Sequence, residues 1–121
     1  YMMSSHNRKV GVFITNEDSL LLQTGKNLYD TLYTIPSWDM PSGSYPIECL
    51  RDKVVNNLGV YKYDIDYIGN FHANNVYLYG YHIKNWTGRV NGKNLVWVHK
   101  SVLQMHPSSI PFEQHTLDKI F

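Results

Sequence analysis

Apolar and polar residues alternate along several segments of the chain, a period of two that is typical of β-strands. In the first third of the sequence this pattern predicts strands over residues 9–15 and 20–23, joined by a turn at 16–18. A loop over residues 24–30 and a short extended segment over 32–35 follow. The chain is therefore expected to begin with a pair of strands connected by a tight turn.

The same period returns in the second half. It predicts strands over residues 65–73 and 76–86, joined tightly at residues 74–75, and a last strand over 95–98 after a loop at 88–93. Apolar or aromatic side chains occupy both alternating sets of positions in the strand 76–86. This arrangement is typical of a strand that is covered on both faces, and it favours a sheet sandwiched between helices.

Residues 46–57 have the period of a helix instead. Ser44 is the expected N-cap, Pro46 lies in the first turn, where its missing N–H costs little, and Gly59 is the expected stop. The apolar residues that share one face of this helix are Ile47, Leu50, Val54 and Leu58.

Two shorter helices complete the expected order of elements. One runs over residues 101–105 with Ser101 as its cap, and the other runs over residues 113–121, whose apolar residues can pack on the sheet. The predicted fold class is therefore α/β, of the α+β type, with a β-sheet between helices.

Length and composition indicate one globular domain. The chain has 121 residues, of which 43% are hydrophobic and 17% charged, and a formal net charge of +1. Residues 1–8 are interpreted as an N-terminal extension or expression remnant, and residues 9–121 as the domain. Basic residues form no dense run, which argues against nucleic-acid binding driven by phosphate neutralisation.

Cys49 is the one cysteine of the sequence, which excludes an internal disulfide framework and fits a reducing compartment. No apolar stretch approaches the length of about 18 residues that a membrane helix requires. A cytoplasmic location without membrane contact is therefore expected.

Residues 36–60 resemble the signature of the Nudix superfamily without a gap. That signature reads Gly-x5-Glu-x7-Arg-Glu-U-x-Glu-Glu-x-Gly-U, where U is a bulky aliphatic residue. The chain retains Gly43, Pro46, Val54, Gly59 and Val60 in register. The flanking segments 10–13 and 20–23 are similar to the entry strands of MutT-like members, and the end of that subgroup is resembled by Trp86-x-Gly88, Trp97-Val98, and Leu103 with Pro107 and Pro111. The resemblance implies the Nudix fold, with a mixed β-sheet sandwiched between helices, for nearly the whole chain.

The resemblance also implies that the metal site of the family has been lost. The three glutamates that hold a divalent ion in the family fall on Lys53, Asn56 and Asn57, and the arginine that precedes them falls on Asp52. Hard carboxylate oxygens are what Mg²⁺ requires. No cofactor is therefore expected, and Mg²⁺ is expected only if the chain is a hydrolase after all.

One alternative retains a cation. Glu48, Asp52 and Asn56 lie four residues apart on one stripe of the predicted helix, where they could hold a cation together with substrate phosphates. Glu48 and Asp52 are therefore the weak catalytic candidates. The favoured interpretation is a solvated helix face on which these carboxylates pair with Arg51 and Lys53.

The candidate ligand-binding residues are aromatic residues of the strands and loop together with polar residues of the helix. Trp38 replaces a small loop residue and is expected to plug the phosphate cavity. The base-reading asparagine of MutT-like proteins would fall near Ile110 and is absent. His82 is interpreted as a packed residue and Cys49 as inert packing. The full candidate set is Trp38, Tyr79, Tyr81, Lys53, Asn56 and Asn57.

Three functions follow from these observations. The first is a degenerate Nudix domain, a pseudoenzyme that binds a nucleotide-like ligand or a protein partner without turnover. The second is a divergent hydrolase of nucleoside-diphosphate-linked substrates that uses acids outside the signature, such as Glu48, Asp52, Asp64 or Glu113. The third is a structural interaction domain whose cavity is filled by Trp38.

Overall fold

A computed structural model of the protein describes residues 7–26, 31–73, 75–105 and 114–121. The strands in this part of the chain are β1 (Asn7–Asn16), β2 (Ser19–Lys26), β3 (Thr31–Thr34), β4 (Ser37–Asp39), β5 (Val60–Tyr61), β6 (Asp64–Ala73), β7 (Val76–Lys84), β8 (Thr87–Gly88) and β9 (Leu95–His99). The helices are α1 (Pro46–Lys53), α2 (Lys100–Met105) and α3 (Gln114–Ile120). A π-helical turn over Val54–Leu58, called the π-segment below, continues α1.

The main sheet is mixed, as the resemblance to the Nudix fold implies. Its central strands follow the order β3-β2-β1-β7-β6, while β4 pairs with β1 and β9 pairs with β2. The central pair, β1 and β7, is parallel, and the other pairs are antiparallel. Strands β5 and β8 form a separate antiparallel pair.

Alternate residues of β1 enter two different cores. Val10, Val12 and Ile14 pack with α1 and the π-segment on one face of the sheet. Phe13, between them, packs with Leu103 of α2 and with residues of α3 on the other face. Because the strand is buried on both faces, the predicted sandwich of a sheet between helices is confirmed.

The predicted helix over residues 46–57 is present and ends at Gly59, whose φ of +73° is the left-handed conformation of a C-terminal stop. The predicted cap is wrong. Tyr45 occupies the N-cap position without a side-chain cap, and the Ser44 hydroxyl instead donates to Pro41 O at 2.7 Å. The Ser44 hydroxyl, which was predicted to cap the helix, therefore closes the turn of residues 41–44 instead.

Several boundaries differ from the prediction. Strand β1 begins at Asn7 rather than residue 9, and β2 runs through Lys26, into the predicted loop. Strand β4 was not predicted, and β8 occupies the start of the loop predicted over residues 88–93. Helix α2 begins at Lys100, and the backbone N–H of Ser101 donates to His99 Nδ1 at 3.1 Å, so Ser101 is not the cap.

Some predictions concern residues outside the described part of the chain. These are Asn74 in the predicted turn, part of the loop over residues 24–30, and the positions Ile110 and Glu113. Within the described part, no helix is both long enough and apolar enough to cross a membrane.

Candidate functional site

Helix α1 and the π-segment present a polar stripe away from the sheet. Glu48, Asp52 and Asn56 are all exposed on it. The side-chain Nδ2 of Asn56 donates to Asp52 Oδ1 at 2.7 Å, the contact expected for residues four apart. The carboxylate of Asp52 and the amide of Asn56 therefore satisfy each other. The ion pairs between described residues lie away from this helix, at Lys9–Asp39, Lys84–Asp66 and Lys100–Asp18.

Cys49 belongs to the core side of the same helix. Burial raises the pKa of its thiol, an effect that neighbouring Lys53 opposes and Asp52 reinforces. A buried thiol with a raised pKa is mostly protonated at neutral pH and is a poor nucleophile. The interpretation of Cys49 as inert packing is consistent with this environment.

The end of the helix is held by the backbone of residues 89–92. Asn91 N donates to Leu58 O at 2.9 Å, and Gly59 lies so close to Arg89 O that a Cβ there would stand 2.7 Å from it. The carbonyl of Asn57 lies beside Gly92. The exposed side chains of Asn56 and Asn57 therefore project from a helix end whose backbone is fixed by an adjacent loop.

The aromatic candidates lie together on the sheet face that α1 covers. Strand β4 pairs Trp38 with Val10, and β7 pairs Tyr79 with the same Val10. Directly paired residues share a face, so Trp38 and Tyr79 flank Val10, about 10 Å apart at two strand spacings. Tyr81 lies in the next row, opposite Val12. All three rings pack against the core under α1.

Other side chains at the far end of β1 and β7 were not singled out from the sequence. The Trp86 and Trp97 rings are stacked with centroids 5.8 Å apart and planes inclined by 3°. An open depression of about 560 Å³ lies beside Trp86. It is lined by Thr15, Asn16, Glu17, Lys84, Asn85 and Trp86, which include none of the sequence candidates.

Comparison with known proteins identifies this architecture. Neither family models nor curated proteins match the sequence. Solved structures match the fold. A MutT NUDIX hydrolase from Burkholderia pseudomallei superposes with a TM-score of 0.69 at 10% identity, covering 98% of this chain and 100% of that one. The chain has the Nudix fold. The ORF135 protein of E. coli gives a TM-score of 0.67 at 14% identity, with coverages of 88% and 81%.

A hydrolase of the NUDIX family from Clostridium perfringens gives a TM-score of 0.62 at 18% identity, covering 84% of this chain and 86% of that one. These identities are too low to carry over activity, so the likeness concerns the Nudix fold. Within this fold, α1 and the π-segment supply the helix to which the signature assigns the metal ligands.

The residues at those positions do not fit a divalent metal. Lys53 offers an ammonium group, and Asn56 and Asn57 offer neutral amides. Among the described residues, no three His, Cys, Asp or Glu side chains converge on a point where a metal ion could bind. A Lys ammonium within about 4 Å of a divalent ion would oppose its binding by roughly 8 kcal/mol at an effective dielectric of 20.

The structure thus divides the candidate residues of this Nudix fold into two groups. Trp38, Tyr79 and Tyr81 share one face of the sheet, whereas Lys53, Asn56 and Asn57 project from the helix. Within the described part of the chain, no hydrogen bond joins the two groups. Tyr67 and Tyr77 were missed. The period-two row of tyrosines in β7 was a signal for Tyr77, but Tyr67 lies on the same face because of a strand pairing that the sequence does not reveal.

Proposed function

We propose that this chain is a degenerate Nudix domain that binds a nucleotide-like ligand without hydrolysing it. The observation that carries the proposal is the donor set of the signature helix. Lys53, Asn56 and Asn57 stand where the family places carboxylates, and the Asp52 carboxylate nearby is hydrogen-bonded to Asn56. Mg²⁺ binding through this helix would have to overcome the charge of Lys53 and displace that hydrogen bond.

Ligand binding without turnover is supported by what the fold retains. The helix stop at Gly59 and the packing of residues 89–92 against it keep the end of the signature helix in place. Trp38 is half-buried against the core and adds an aromatic surface beside Tyr79. The same position of Trp38 also suits the cavity-plugging role expected from the sequence, in which case a protein partner replaces the small ligand.

A divergent hydrolase is the second candidate, favoured by one observation. Glu48 and Asp52 are exposed on one stripe of α1, and they are the acidic residues of the helix that carries the family's metal positions. In this alternative the two carboxylates hold Mg²⁺ together with substrate phosphates. The reaction would then be a Mg²⁺-dependent pyrophosphohydrolysis.

The test uses the full chain with nucleoside triphosphates and ADP-ribose, each with Mg²⁺ or with EDTA. We expect no turnover in either condition, and a rise of the thermal midpoint with a nucleotide that does not depend on Mg²⁺. A ligand that binds the native state at 100 times its Kd adds about 2.7 kcal/mol to the free energy of unfolding.

Two outcomes would overturn the proposal. Turnover that needs Mg²⁺ and disappears in Glu48→Gln or Asp52→Asn, but not in the control Asp118→Asn on α3, would establish the hydrolase. A complete absence of thermal shifts, together with a protein captured by the chain and lost on Trp38→Ala, would establish an interaction domain.

A further inference from the structure

A group of ring-bearing and polar side chains continues the α1 face of the sheet onto its far strands. We call it the tyrosine face, and its members are Arg8, Tyr67, Asn70, His72, Tyr77 and Tyr79. The register of β1, β7 and β6 puts Arg8, Tyr77 and His72 in one row, and Tyr79 and Asn70 in the next. Tyr67 follows in the third row, opposite Tyr81.

The rings of this face are in contact with one another. The His72 and Tyr77 centroids are 5.5 Å apart, and the Tyr77 and Tyr79 centroids are 5.4 Å apart. Tyr67 lies 5.3 Å from the largely buried ring of Tyr81. Tyr67 is itself 55% exposed. The face therefore offers several adjoining rings to a ligand.

Hydrogen bonds hold these side chains in place before any ligand arrives. Tyr67 OH donates to Asn70 Oδ1, and Asn70 Nδ2 donates to Tyr77 OH at 3.1 Å. Arg8 Nη2 donates to Tyr79 OH at 3.2 Å, and its guanidinium lies 5.5 Å from the centre of the Tyr79 ring. Because the rotamers are already fixed, binding costs less conformational entropy.

The positive charge of the face favours a negatively charged ligand. Arg8 is its one permanently charged member, and the strand positions that share this face in β1, β6 and β7 carry no carboxylate, since Asp64 and Asp66 point to the opposite face. A cationic ligand would be repelled by the Arg8 guanidinium, which lies over the Tyr79 ring. A second copy docked by two-fold symmetry would bring a second Arg8 onto the same patch. An anionic ligand is complementary.

The shape of the face favours a polymer over a small molecule. Small ligands bind in concave sites that enclose most of their surface. The tyrosine face is instead a row of adjoining rings on a sheet, of which Tyr67 and His72 are exposed and Tyr77 is half-buried. Such a row gains affinity from several bases at once, each of which can stack on a ring. The Arg8 guanidinium has five N–H donors, and its hydrogen bond within the described residues, to Tyr79 OH, leaves donors that can in addition reach a phosphate.

We propose that the tyrosine face binds single-stranded nucleic acid, with unpaired bases stacked on Tyr67, Tyr77 and His72 and a phosphate held by Arg8. The proposal rests on the proposed function in one respect only, namely that the domain binds nucleotide-like ligands. The near-neutral charge of the chain is compatible with this site, because the affinity comes from stacking and not from a dense basic patch.

The test measures the fluorescence anisotropy of a labelled oligouridine of about 12 nucleotides with the full chain. We expect Tyr67→Ala and Tyr77→Ala each to weaken binding roughly 5- to 150-fold, the range expected for the loss of one stacked base. Tyr67→Phe and Tyr77→Phe keep the ring but lose its hydrogen bond to Asn70, so they should bind more weakly than the parent and more tightly than the alanine variants. Tyr61→Ala is the matched control, because Tyr61 is 49% exposed but lies on β5, away from this face.

Salt dependence provides a second readout. With Arg8 as the single phosphate contact, log K should fall against log salt with a slope of about −0.7, and Arg8→Gln should bring the slope near zero. The same oligonucleotide paired with its complement should compete weakly, since its bases are no longer free to stack.

Three results would overturn the inference: no binding of the single strand, binding that Tyr67→Ala and Tyr77→Ala leave unchanged, or a dimer in sedimentation that Tyr77→Ala dissociates. A nucleotide-induced thermal shift without turnover that persists while the single strand fails to bind would refute this site and leave the proposed function standing. Mg²⁺-dependent turnover, with single-strand binding intact, would do the reverse.

Discussion

Thr15 Oγ1 and His82 Nε2 lie 2.8 Å apart in a buried contact between residues 67 positions apart in sequence. Both side chains are nearly inaccessible, with exposed fractions of 8% and 6%. The backbone oxygen of Thr15 also accepts a hydrogen bond from Trp86 Nε1 at 3.0 Å. Thr15 therefore ties β1 to its parallel neighbour β7 through a side chain and to the following segment through its backbone.

This environment makes the stability of the domain depend on pH. Burial lowers the pKa of His82 below its ordinary value of 6.5, Lys84 adds to the effect, and Asp66 opposes it. The unfolded chain therefore takes up a proton at His82 that the folded chain refuses. We expect the free energy of unfolding to fall as the pH drops through 6.5, until the folded-state pKa is reached, and to be independent of His82 above pH 7.

Denaturant unfolding at a series of pH values from 7.5 to about 5 checks this expectation. The comparison variant is His82→Gln, which can still hydrogen-bond Thr15 and keeps every other histidine. Its stability should decline less on acidification than that of the parent. Identical pH profiles for the two proteins would show that His82 is not the titrating group.

Removing the Thr15 hydroxyl should leave His82 without its partner. Thr15→Val keeps the shape of the side chain, and we expect it to cost about 1–3 kcal/mol of unfolding free energy, because a buried polar atom loses its hydrogen bond. Thr15→Ser keeps the hydroxyl and loses one methyl group, a loss of about 1 kcal/mol. A serine variant less stable than the valine variant in urea unfolding would contradict the importance of this contact.

Two glycines with left-handed backbones should respond differently to alanine. Gly43 has φ of +82°, and no atom lies within 4 Å of the position that an added Cβ would take, so Gly43→Ala should cost only the conformational term of about 1–2 kcal/mol. At Gly59 the added Cβ would also lie 2.7 Å from Arg89 O. We expect Gly59→Ala to cost at least about 1 kcal/mol more in thermal unfolding, and equal losses would show that the loop yields freely.

Restoring the family's carboxylates should create metal affinity. In the triple variant Lys53→Glu, Asn56→Glu and Asn57→Glu, three hard oxygen donors return to the signature positions. We expect its thermal midpoint to rise with millimolar Mg²⁺, whereas that of the parent does not. The matched triple glutamine variant should behave like the parent.

A parent protein that Mg²⁺ already stabilises, and that loses this response in Asp52→Asn, would instead assign a cation to the stripe of Glu48 and Asp52. The triple variant would then add affinity to an existing site. Two of the three substituted residues, Asn56 and Asn57, lie in the π-segment, so this test mainly probes that segment.

Much of the fold follows from local pattern. The apolar and aromatic residues on both alternating sets of positions in β7 indicate a strand covered on both faces, and Tyr81 and Leu78 pack in the two different cores. The glycine stop at Gly59 marks the end of the signature helix. These features are decided by residues close together in sequence, so a pattern in the sequence can report them.

The features that escaped prediction depend on distant partners. Strand β4 is three residues long and exists because Trp38 pairs with Val10. The spacing of Val54 and Leu58 suits an α-helical turn as well as the π-helical turn that forms, so apolar periodicity does not distinguish them.

The candidate site was predictable only in part, because some of its residues share a face through strand pairing and not through their spacing in the sequence. Tyr79 and Tyr81 stand out through the alternation in β7, whereas Tyr67 and Asn70 are three residues apart and should lie on opposite faces of a regular strand. An irregularity between Tyr67 and Gly69 restores them to one face, opposite Tyr81 and Tyr79. That shift is fixed by pairing with β7 and leaves no trace in the spacing of the residues themselves.

The parallel pairing of β1 with β7 also determines when the middle of the sheet can form during synthesis. Asn7 lies beside Val76 and Ile14 beside Ile83, so the middle of the sheet waits for a strand that leaves the ribosome much later. Until then, Val10, Val12 and Ile14 can be covered only by the elements that precede β7, namely β2, β4, α1 and the π-segment, and β1 lacks its parallel neighbour. We expect the sheet to close slowly and late during synthesis. Nascent chains should bind chaperones through their exposed apolar residues until residue 83 has emerged.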